Sequence, residues 1–182
     1  MEPGQEDAEA DQLQALGERF LTALRRKDAG ELDDAEDLLR SILRAEPRLP
    51  EPHLELARIL LDTDRTKEAE QHAREGLSHL EAGGQWTDEL PENVVMALAH
   101  ALLAEALRRR ADEDDVLFGD PEAFHAMVRS AREHFEVAAG LDPRDEYSSY
   151  HAFFLGVEGH GGAPPELAGL SLSADPDDLK QS

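Results

Sequence analysis

Apolar residues along this chain recur every three or four positions, which is the spacing of one face of an α-helix. The segment 35–43 shows the full pattern, with Ala35, Leu38, Leu39, Ile42 and Leu43 on one stripe. Similar stripes, separated by glycine and proline breaks, predict about seven helices. No segment shows the two-residue alternation of a strand, so the sequence predicts an all-α fold.

Helix-start signals set the beginnings of the fifth and sixth predicted helices. Thr87 is a candidate cap for a long fifth helix from about 88 to 111, with Pro91 in its first turn. The sequence DPE at 120–122 is a strong start for the sixth helix, because an acid precedes proline at the first helical position. The seventh helix is predicted at about 145–157.

Two thirteen-residue stretches far apart in the chain follow one pattern. AEDLLRSILRAEP (35–47) and AREHFEVAAGLDP (131–143) both begin with alanine and end in an acid followed by proline. Ala69 lies 34 residues after Ala35 and is followed by small or apolar residues at the same offsets. HLELARIL (53–60) and HALLAEAL (100–107) also share His, Leu, Ala and Leu at identical positions. The chain therefore repeats a pair of helices.

Helix pairs with a 34-residue period, small residues at the helix crossings and a closing proline resemble the tetratricopeptide repeat. The resemblance covers roughly residues 12–157 and implies an α-α superhelix, a solenoid of antiparallel helix pairs. Three units are expected at about 12–47, 50–83 and 88–143, with a capping helix at 145–157. The sequence departs from the family pattern at His53 and His100, where a bulky aromatic residue is usual, and unit two lacks the closing proline.

The third unit is longer than the family period. The equivalent histidines of units two and three are 47 residues apart, so both helices of unit three are expected to gain turns around a projecting loop, 112–120. Val116, Leu117 and Phe118 lie among acids in this loop. We favour the interpretation that these side chains cover the tops of the long helices. The alternative is an exposed apolar tip that docks on another molecule.

Charge excludes some classes of partner. The chain carries 41 acidic and 18 basic residues, a net charge of −23, which repels the phosphates of nucleic acid and of an anionic membrane. Much of the excess acid lies in 1–11, 112–120 and 160–182. We expect 1–11 and 158–182 to be disordered tails that keep the protein soluble. A second possibility is that they attract or autoinhibit a basic partner.

The chain contains no cysteine, so disulfides and thiolate chemistry are excluded. The first twelve residues, MEPGQEDAEADQ, lack the basic and apolar regions of a signal peptide. No run of apolar residues is long enough for a membrane span. The expected location is the cytoplasm.

The resemblance also implies where a partner binds, because family members hold peptides on the concave face lined by the first helix of each pair. Glu18, Leu21 and Arg25 in unit one have the same spacing as Glu51, Leu54 and Arg58 in unit two. Two arginines and two leucines would thus lie on one surface. The remaining candidates are Asp28, Leu61, Leu98, Ala101, Glu105 and Arg108. Such a groove suits a segment with apolar anchors and an acidic group, but the arginines could equally pair with neighbouring glutamates and have no partner.

Eight histidines raise the question of a metal site. His72, Glu75 and His79 share one side of the predicted fourth helix, but the sequence indicates no third ligand from another helix. We interpret His53 and His100 as packing residues. No nucleophile lies at motif spacing from a base and no phosphate-binding loop is present, so we predict no metal, no cofactor and no catalytic residue.

The sequence therefore predicts a non-enzymatic adaptor or scaffold that binds another protein in its concave groove. The lysine–asparagine clamp that some family members use for chaperone C-termini is absent, because the one asparagine is Asn93 and the lysines are at 27, 67 and 180. The first alternative is a small secretion or assembly chaperone that holds an apolar segment of a client. The second, less favoured, is an all-α metal-binding protein or enzyme that uses the histidines.

Overall fold

A computed structural model describes the backbone of residues 3–156 and the side chains of residues 8–156, and this part of the chain forms eight α-helices. The all-α prediction is confirmed. The helices are α1 (Pro3–Asp28), α2 (Leu32–Ala45), α3 (Pro50–Asp62), α4 (Thr66–Glu81), α5 (Glu92–Ala111), α6 (Asp114–Leu117), α7 (Pro121–Leu141) and α8 (Glu146–Phe154). The eighth helix beyond the seven predicted is α6, a single turn inside the loop 112–120. No helix of residues 3–156 combines the length and apolar character that crossing a membrane requires.

The helices pack in sequential antiparallel pairs. α1 packs on α2, α3 on α4 and α5 on α7, while α2 contacts α3, α4 contacts α5, and α8 covers α7. Each pair buries the apolar stripe that its helices cannot bury alone. This order agrees with the predicted array of helix pairs.

Burial at the repeated positions follows the sequence pattern. Ala35, Ala69 and Ala131, which begin the pattern in the second helix of each pair, have no exposed surface. The first-helix histidines His53 and His100 are also buried, at 3% and 9% exposure, as packing positions should be. The three alanines have small side chains, which let the backbones of crossing helices approach closely. This close approach explains why alanine recurs at these positions.

The third pair is longer than the second, as predicted. α5 and α7 have 20 and 21 residues, against 13 and 16 in α3 and α4. Asp120 caps α7 as expected, because its side chain accepts a hydrogen bond from the Glu122 N–H at 3.0 Å. The short α8 is capped in the same way by Asp145, which accepts from the Ser148 N–H.

The first helix begins earlier than the sequence predicted. α1 starts at Pro3, so residues 3–11 are helical where a disordered tail was expected over 1–11. Proline is favourable at the first helical position, and glutamate, glutamine and alanine are good helix formers. The acids of this segment also lie near the positive end of the helix dipole. The predicted C-terminal tail, 158–182, lies outside the described residues.

The predicted start of the fifth helix is wrong by several residues. α5 begins at Glu92, immediately after Pro91, and Thr87 caps no helix. The backbone N–H groups of Trp86 and Thr87 donate instead to the carboxylate of Glu51, at 3.0 and 2.9 Å. Because these N–H groups are hydrogen-bonded to a side chain of another helix, this segment forms no helix before Glu92.

Ion pairs join the second helices of units one and two. Arg40 and Arg65 each lie within 2.9 Å of the carboxylates of both Glu36 and Glu68. The four side chains form a closed network between α2 and α4. Two carboxylates are thereby neutralised locally, although exposed pairs contribute little individually to stability.

Gly76 and Gly140 are expected to respond oppositely to substitution. A Cβ at Gly76 would lie 2.8 Å from the Leu54 side chain and 3.3 Å from the His53 Cβ, so Gly76→Val should lower the free energy of unfolding by about 1–3 kcal/mol. Nothing lies within 4 Å of a Cβ at Gly140, which is inside α7, so Gly140→Ala should raise it by about 0.5–1 kcal/mol. Urea unfolding measures both. If the two substitutions changed the free energy of unfolding equally, α3 and α4 would not be in close contact at Gly76.

Candidate interaction surface

An irregular linker, residues 82–91, leaves the end of α4 and passes beside the first helices α1 and α3. Gly83 adopts a positive φ of 78°, which a residue without Cβ accepts readily. The Gly84 N–H then donates to the His79 carbonyl at 2.9 Å and closes the helix end. A Cβ at Gly84 would lie 2.7 Å from the same carbonyl oxygen, so both glycines of the pair are required by the turn.

Glu51 in the first turn of α3 holds this linker. Its carboxylate accepts the backbone N–H groups of Trp86 and Thr87 and is 8% exposed. A buried carboxylate with two backbone donors is a satisfied anchor. The charge of Glu51, which the sequence analysis assigned to partner binding, is therefore already engaged by the chain itself.

A cleft of about 300 Å³ lies between α1 and the linker. Its α1 wall is formed by Leu13, Gly17, Phe20 and Leu21, and its linker wall by residues 86–89. The Trp86 ring packs on Phe20 with ring centroids 5.5 Å apart. Leu13 and Leu21 are 44% and 42% exposed, and Leu90 at the end of the linker is 48% exposed. The cleft thus has an apolar α1 wall with two exposed leucines and a linker wall that adds the polar residues 87–89.

Release of the linker is expected when Glu51 is replaced. Glu51→Gln weakens the bonds to the Trp86 and Thr87 N–H groups, and we expect a loss of about 1–3 kcal/mol of unfolding free energy. The chain has one tryptophan, so its emission reports on the linker alone and should shift to longer wavelength. Glu18→Gln, on the exposed surface of α1, is the control and should leave the emission unchanged. An unchanged emission in both variants would contradict the anchor.

The predicted unit-one residues Glu18, Leu21 and Arg25 are all exposed on α1, as is Asp28. Leu21 borders the cleft directly. These residues are available to another molecule, and their contact with a partner stays a prediction.

The predicted unit-two residues are mostly covered. Leu54 and Leu61 are 2% and 4% exposed, and Arg58 is half-buried. Leu54 lines a smaller cavity of about 100 Å³, to which Leu98 of α5 and Leu90 of the linker also contribute. First-helix residues from three units line this cavity together with linker residues 87, 89 and 90. No sequence pattern indicated that the linker contributes to this cavity.

The three predicted arginines have different environments. Arg108 forms paired hydrogen bonds of 2.9 Å to the Glu105 carboxylate. Arg25 and Arg58 form no ion pair with any carboxylate among residues 8–156, whereas the neighbouring Lys27 contacts Glu55 of α3. The interpretation that the arginines merely pair with glutamates therefore holds for Arg108 and fails for Arg25 and Arg58 over this part of the chain.

Glu105 is the centre of a polar cluster on α5. Its carboxylate accepts from Arg108, from Arg109 at 2.6 Å and from the Tyr147 hydroxyl of α8 at 2.7 Å. Burial alone raises the pKa of this carboxyl, but the hydrogen bonds from the arginines and Tyr147 outweigh it and lower the pKa to about 2. Glu105 thus ties the capping helix to the array and is not free to bind a partner. Ala101, one turn earlier, is half-buried.

The loop 112–120 presents an apolar tip. Phe118 is 80% exposed and Leu117 is 47% exposed, while Val116 is partly buried. The favoured expectation that all three side chains cover the long helices is therefore wrong for Phe118 and Leu117. An acidic residue of the loop, and not its apolar tip, contacts the helix array, because the Asp115 carboxylate lies 3.1 Å from the Lys67 ammonium of α4.

Four of the histidines form two pairs, each of one buried and one partly buried ring. His53 of α3 faces His72 of α4 with Nδ1 atoms 2.9 Å apart, and His100 of α5 faces His134 of α7 at 2.8 Å. Burial lowers the pKa of all four rings, and that of His72 falls to about 4. The sequence indicated no ligand from a second helix beside His72 and Glu75, and the structure corrects this by placing His53 of α3 there.

Comparison with known proteins agrees with the helix arrangement. A family model described as tetratricopeptide repeat matches residues 27–79, which span the end of α1, all of α2 and α3, and most of α4. The search of curated proteins found no match to the chain. The family match and the sequential antiparallel helix pairs together identify residues 27–79 as tetratricopeptide repeat sequence within an all-α array.

Proposed function

We propose that this chain is a non-enzymatic adaptor that binds a segment of a partner protein on the face formed by α1, α3 and the linker. Repeat arrays of this family suggest protein partners. The observation that carries the proposal is the cleft beside α1, whose α1 wall leaves Leu13 and Leu21 44% and 42% exposed next to the Trp86 ring. Exposed leucines grouped at one cleft are typical of an interaction surface.

The size of the cleft defines what it accepts. A volume of about 300 Å³ holds one or two apolar side chains, not a folded domain. The partner is therefore a short extended or helical segment that inserts an apolar anchor between α1 and Trp86. Such anchors supply most of the affinity in peptide recognition.

Charge around the cleft favours a particular partner sequence. Arg25 is exposed and Arg58 is half-buried without an ion pair among residues 8–156, so both can bind a carboxylate through paired hydrogen bonds. Asp88 and Glu89 lie on the opposite, linker wall. We infer a segment with an acidic residue on the arginine side of its anchor and a basic residue on the linker side.

Affinity capture from the host lysate, with bound proteins identified by mass spectrometry, tests this surface. The Arg25→Glu/Arg58→Glu variant should lose a partner that the wild type retains, with a loss of at least about tenfold in affinity for two charge reversals. The matched control is Arg44→Glu/Arg129→Glu, which makes the same charge change at exposed positions of second helices α2 and α7. It should capture the partner as the wild type does.

Capture that is unchanged in Arg25→Glu/Arg58→Glu, measured on a variant with wild-type circular dichroism, would contradict the proposal. Equal losses in both double variants would indicate a general effect of charge. A partner that is lost only with Phe118→Ser would move the contact to the loop.

The loop supports the second candidate, a small chaperone that holds an apolar segment of a client. Its support is the 80% exposed Phe118 beside Leu117, on a part of the molecule that the cleft does not use. A client that precipitates alone should stay soluble with the wild type and precipitate with Phe118→Ser. An adaptor, in contrast, should bind a partner that is soluble alone.

A further inference from the structure

We propose that His53, His72 and Glu75 form a binding site for one divalent late transition-metal ion of the zinc class. His53 lies in the first turns of α3, and His72 and Glu75 lie one turn apart on α4. Their ligand atoms lie within 4.8 Å of one another. The site lies inside the second helix pair and does not depend on the interaction surface proposed above.

Close packing of the two helices brings these side chains together. Gly76 follows Glu75 directly, and a Cβ there would be 3.3 Å from the His53 Cβ and 2.8 Å from Leu54. The absence of a side chain at Gly76 lets α3 approach α4 at this level. Ligands from two helices thus converge because of a helix contact that the fold already requires.

The separations suit a small tetrahedral ion. The His53 and His72 Nδ1 atoms are 2.9 Å apart, and the Glu75 Oε2 is 3.5 Å from the His53 Nδ1. Zinc bonds to nitrogen and oxygen of about 2.0–2.2 Å, set at tetrahedral angles, separate ligand atoms by about 3.3–3.5 Å. To bind an ion, the Nδ1 atoms of His53 and His72 must therefore move apart by a few tenths of an ångström.

A hydrogen bond at Nε2, the ring nitrogen that does not face the proposed ion, sets the orientation of the His53 ring. Its Nε2 lies 2.8 Å from the Pro47 carbonyl oxygen, which can only accept, so Nε2 carries the proton and Nδ1 carries a lone pair. A backbone carbonyl in this role is the usual support of a metal-binding histidine. His72 donates its Nδ1–H to His53 without metal, and its proton moves to Nε2 when the ion binds.

The donor set selects the class of ion. Two imidazoles and one carboxylate suit Zn²⁺ and its late first-row neighbours, whereas Mg²⁺ and Ca²⁺ prefer oxygen ligands alone. Three protein ligands leave the fourth position to water. The bound ion would cross-link α3 to α4 and raise the melting temperature by mass action.

The second histidine pair provides a matched control. His100 and His134 have the same Nδ1 geometry at 2.8 Å, but no third ligand joins them within the same limit among residues 8–156. The test is calorimetric titration of the chelator-stripped full chain with Zn²⁺ in excess Mg²⁺, which occupies sites made of carboxylates alone. Wild type and His134→Gln should each bind one ion. His72→Gln should bind it at least about 100-fold more weakly, and Glu75→Gln by about tenfold or more.

Co²⁺ titration, followed by its visible absorption, should show a four-coordinate spectrum in the wild type that His72→Gln lacks. The proposal is overturned if the wild type has no saturable site in Mg²⁺, or if His72→Gln and His134→Gln bind alike. If His72→Gln does not fold, Glu75→Gln decides, because Glu75 is 43% exposed at its side chain and is not needed for packing. Wild-type affinity in that variant would also overturn the proposal.

Discussion

Phe135→Ala is expected to lower the free energy of unfolding by about 3–5 kcal/mol, because Phe135 is fully buried and its removal leaves a large cavity. Its ring contacts Tyr147 and His151 of α8, with centroids 6.0 and 5.2 Å away. The variant should therefore also loosen the capping helix. Urea unfolding measures the loss, and hydrogen exchange of the α8 amides reports the loosening.

Val137→Ala is the control for this prediction. Val137 is on the same helix but is 43% exposed, so its truncation should cost less than about 0.5 kcal/mol. If the two variants unfold at the same urea concentration, Phe135 is not a core residue. If Phe135→Ala destabilises but α8 retains its protection, α8 is held by other contacts.

Glu105→Gln is expected to lower the free energy of unfolding by about 3 kcal/mol at neutral pH. The carboxylate holds Arg108, Arg109 and Tyr147, and its pKa falls from 4.5 to about 2 on folding, which corresponds to that free energy. The amide cannot accept all of these bonds, and the arginines lose their counter-charge in a half-buried setting. Glu133→Gln, at an exposed position of α7, should have no measurable effect.

The pH dependence gives this prediction a second test. Because folding lowers the pKa of Glu105, its stabilisation is complete above about 4.5 and declines as the pH falls toward 2. The difference in unfolding free energy between wild type and Glu105→Gln should therefore be constant from pH 7 to 5 and shrink below about 4.5. A difference that stays constant into acid would show that the side chain contributes by shape and not by charge.

Much of the fold follows from local sequence. Helical periodicity and small residues at fixed offsets predicted the helix pairs, and the alanines at 35, 69 and 131 are fully buried as the pattern requires. The cap at Asp120 could also be predicted from the sequence, because a helix cap involves residues only two or three positions apart. Signals of this kind depend on one helix or on its immediate neighbour.

The features that sequence missed are contacts between distant segments. Glu51 reaches the backbone of Trp86, 35 residues away, and a backbone donor leaves no signature in the sequence. The pairing of His53 with His72 depends on the helix contact at Gly76 and not on any motif spacing. Exposure of Phe118 depends on how the loop 112–120 folds back, which its composition does not determine.

The structure also changes which residues matter for the predicted groove. The linker anchored by Glu51 occupies part of the face that the resemblance assigned to a partner, and Leu54 is buried against α4 at Gly76. The available surface moves toward α1, where Leu21 and Arg25 are exposed. A partner segment is thus expected to lie beside the linker and to contact Trp86 at the cleft wall.

Site-specific photo-crosslinking in the host cell tests this account most directly. A photoreactive residue at Leu21 lies at the cleft, and the same residue at Arg129 of α7 lies on an exposed second helix. We expect a discrete crosslinked protein from position 21, none from position 129, and loss of the crosslink when Arg25→Glu/Arg58→Glu is added. A crosslink from position 129 but not from position 21 would show that the partner binds elsewhere and would contradict the account.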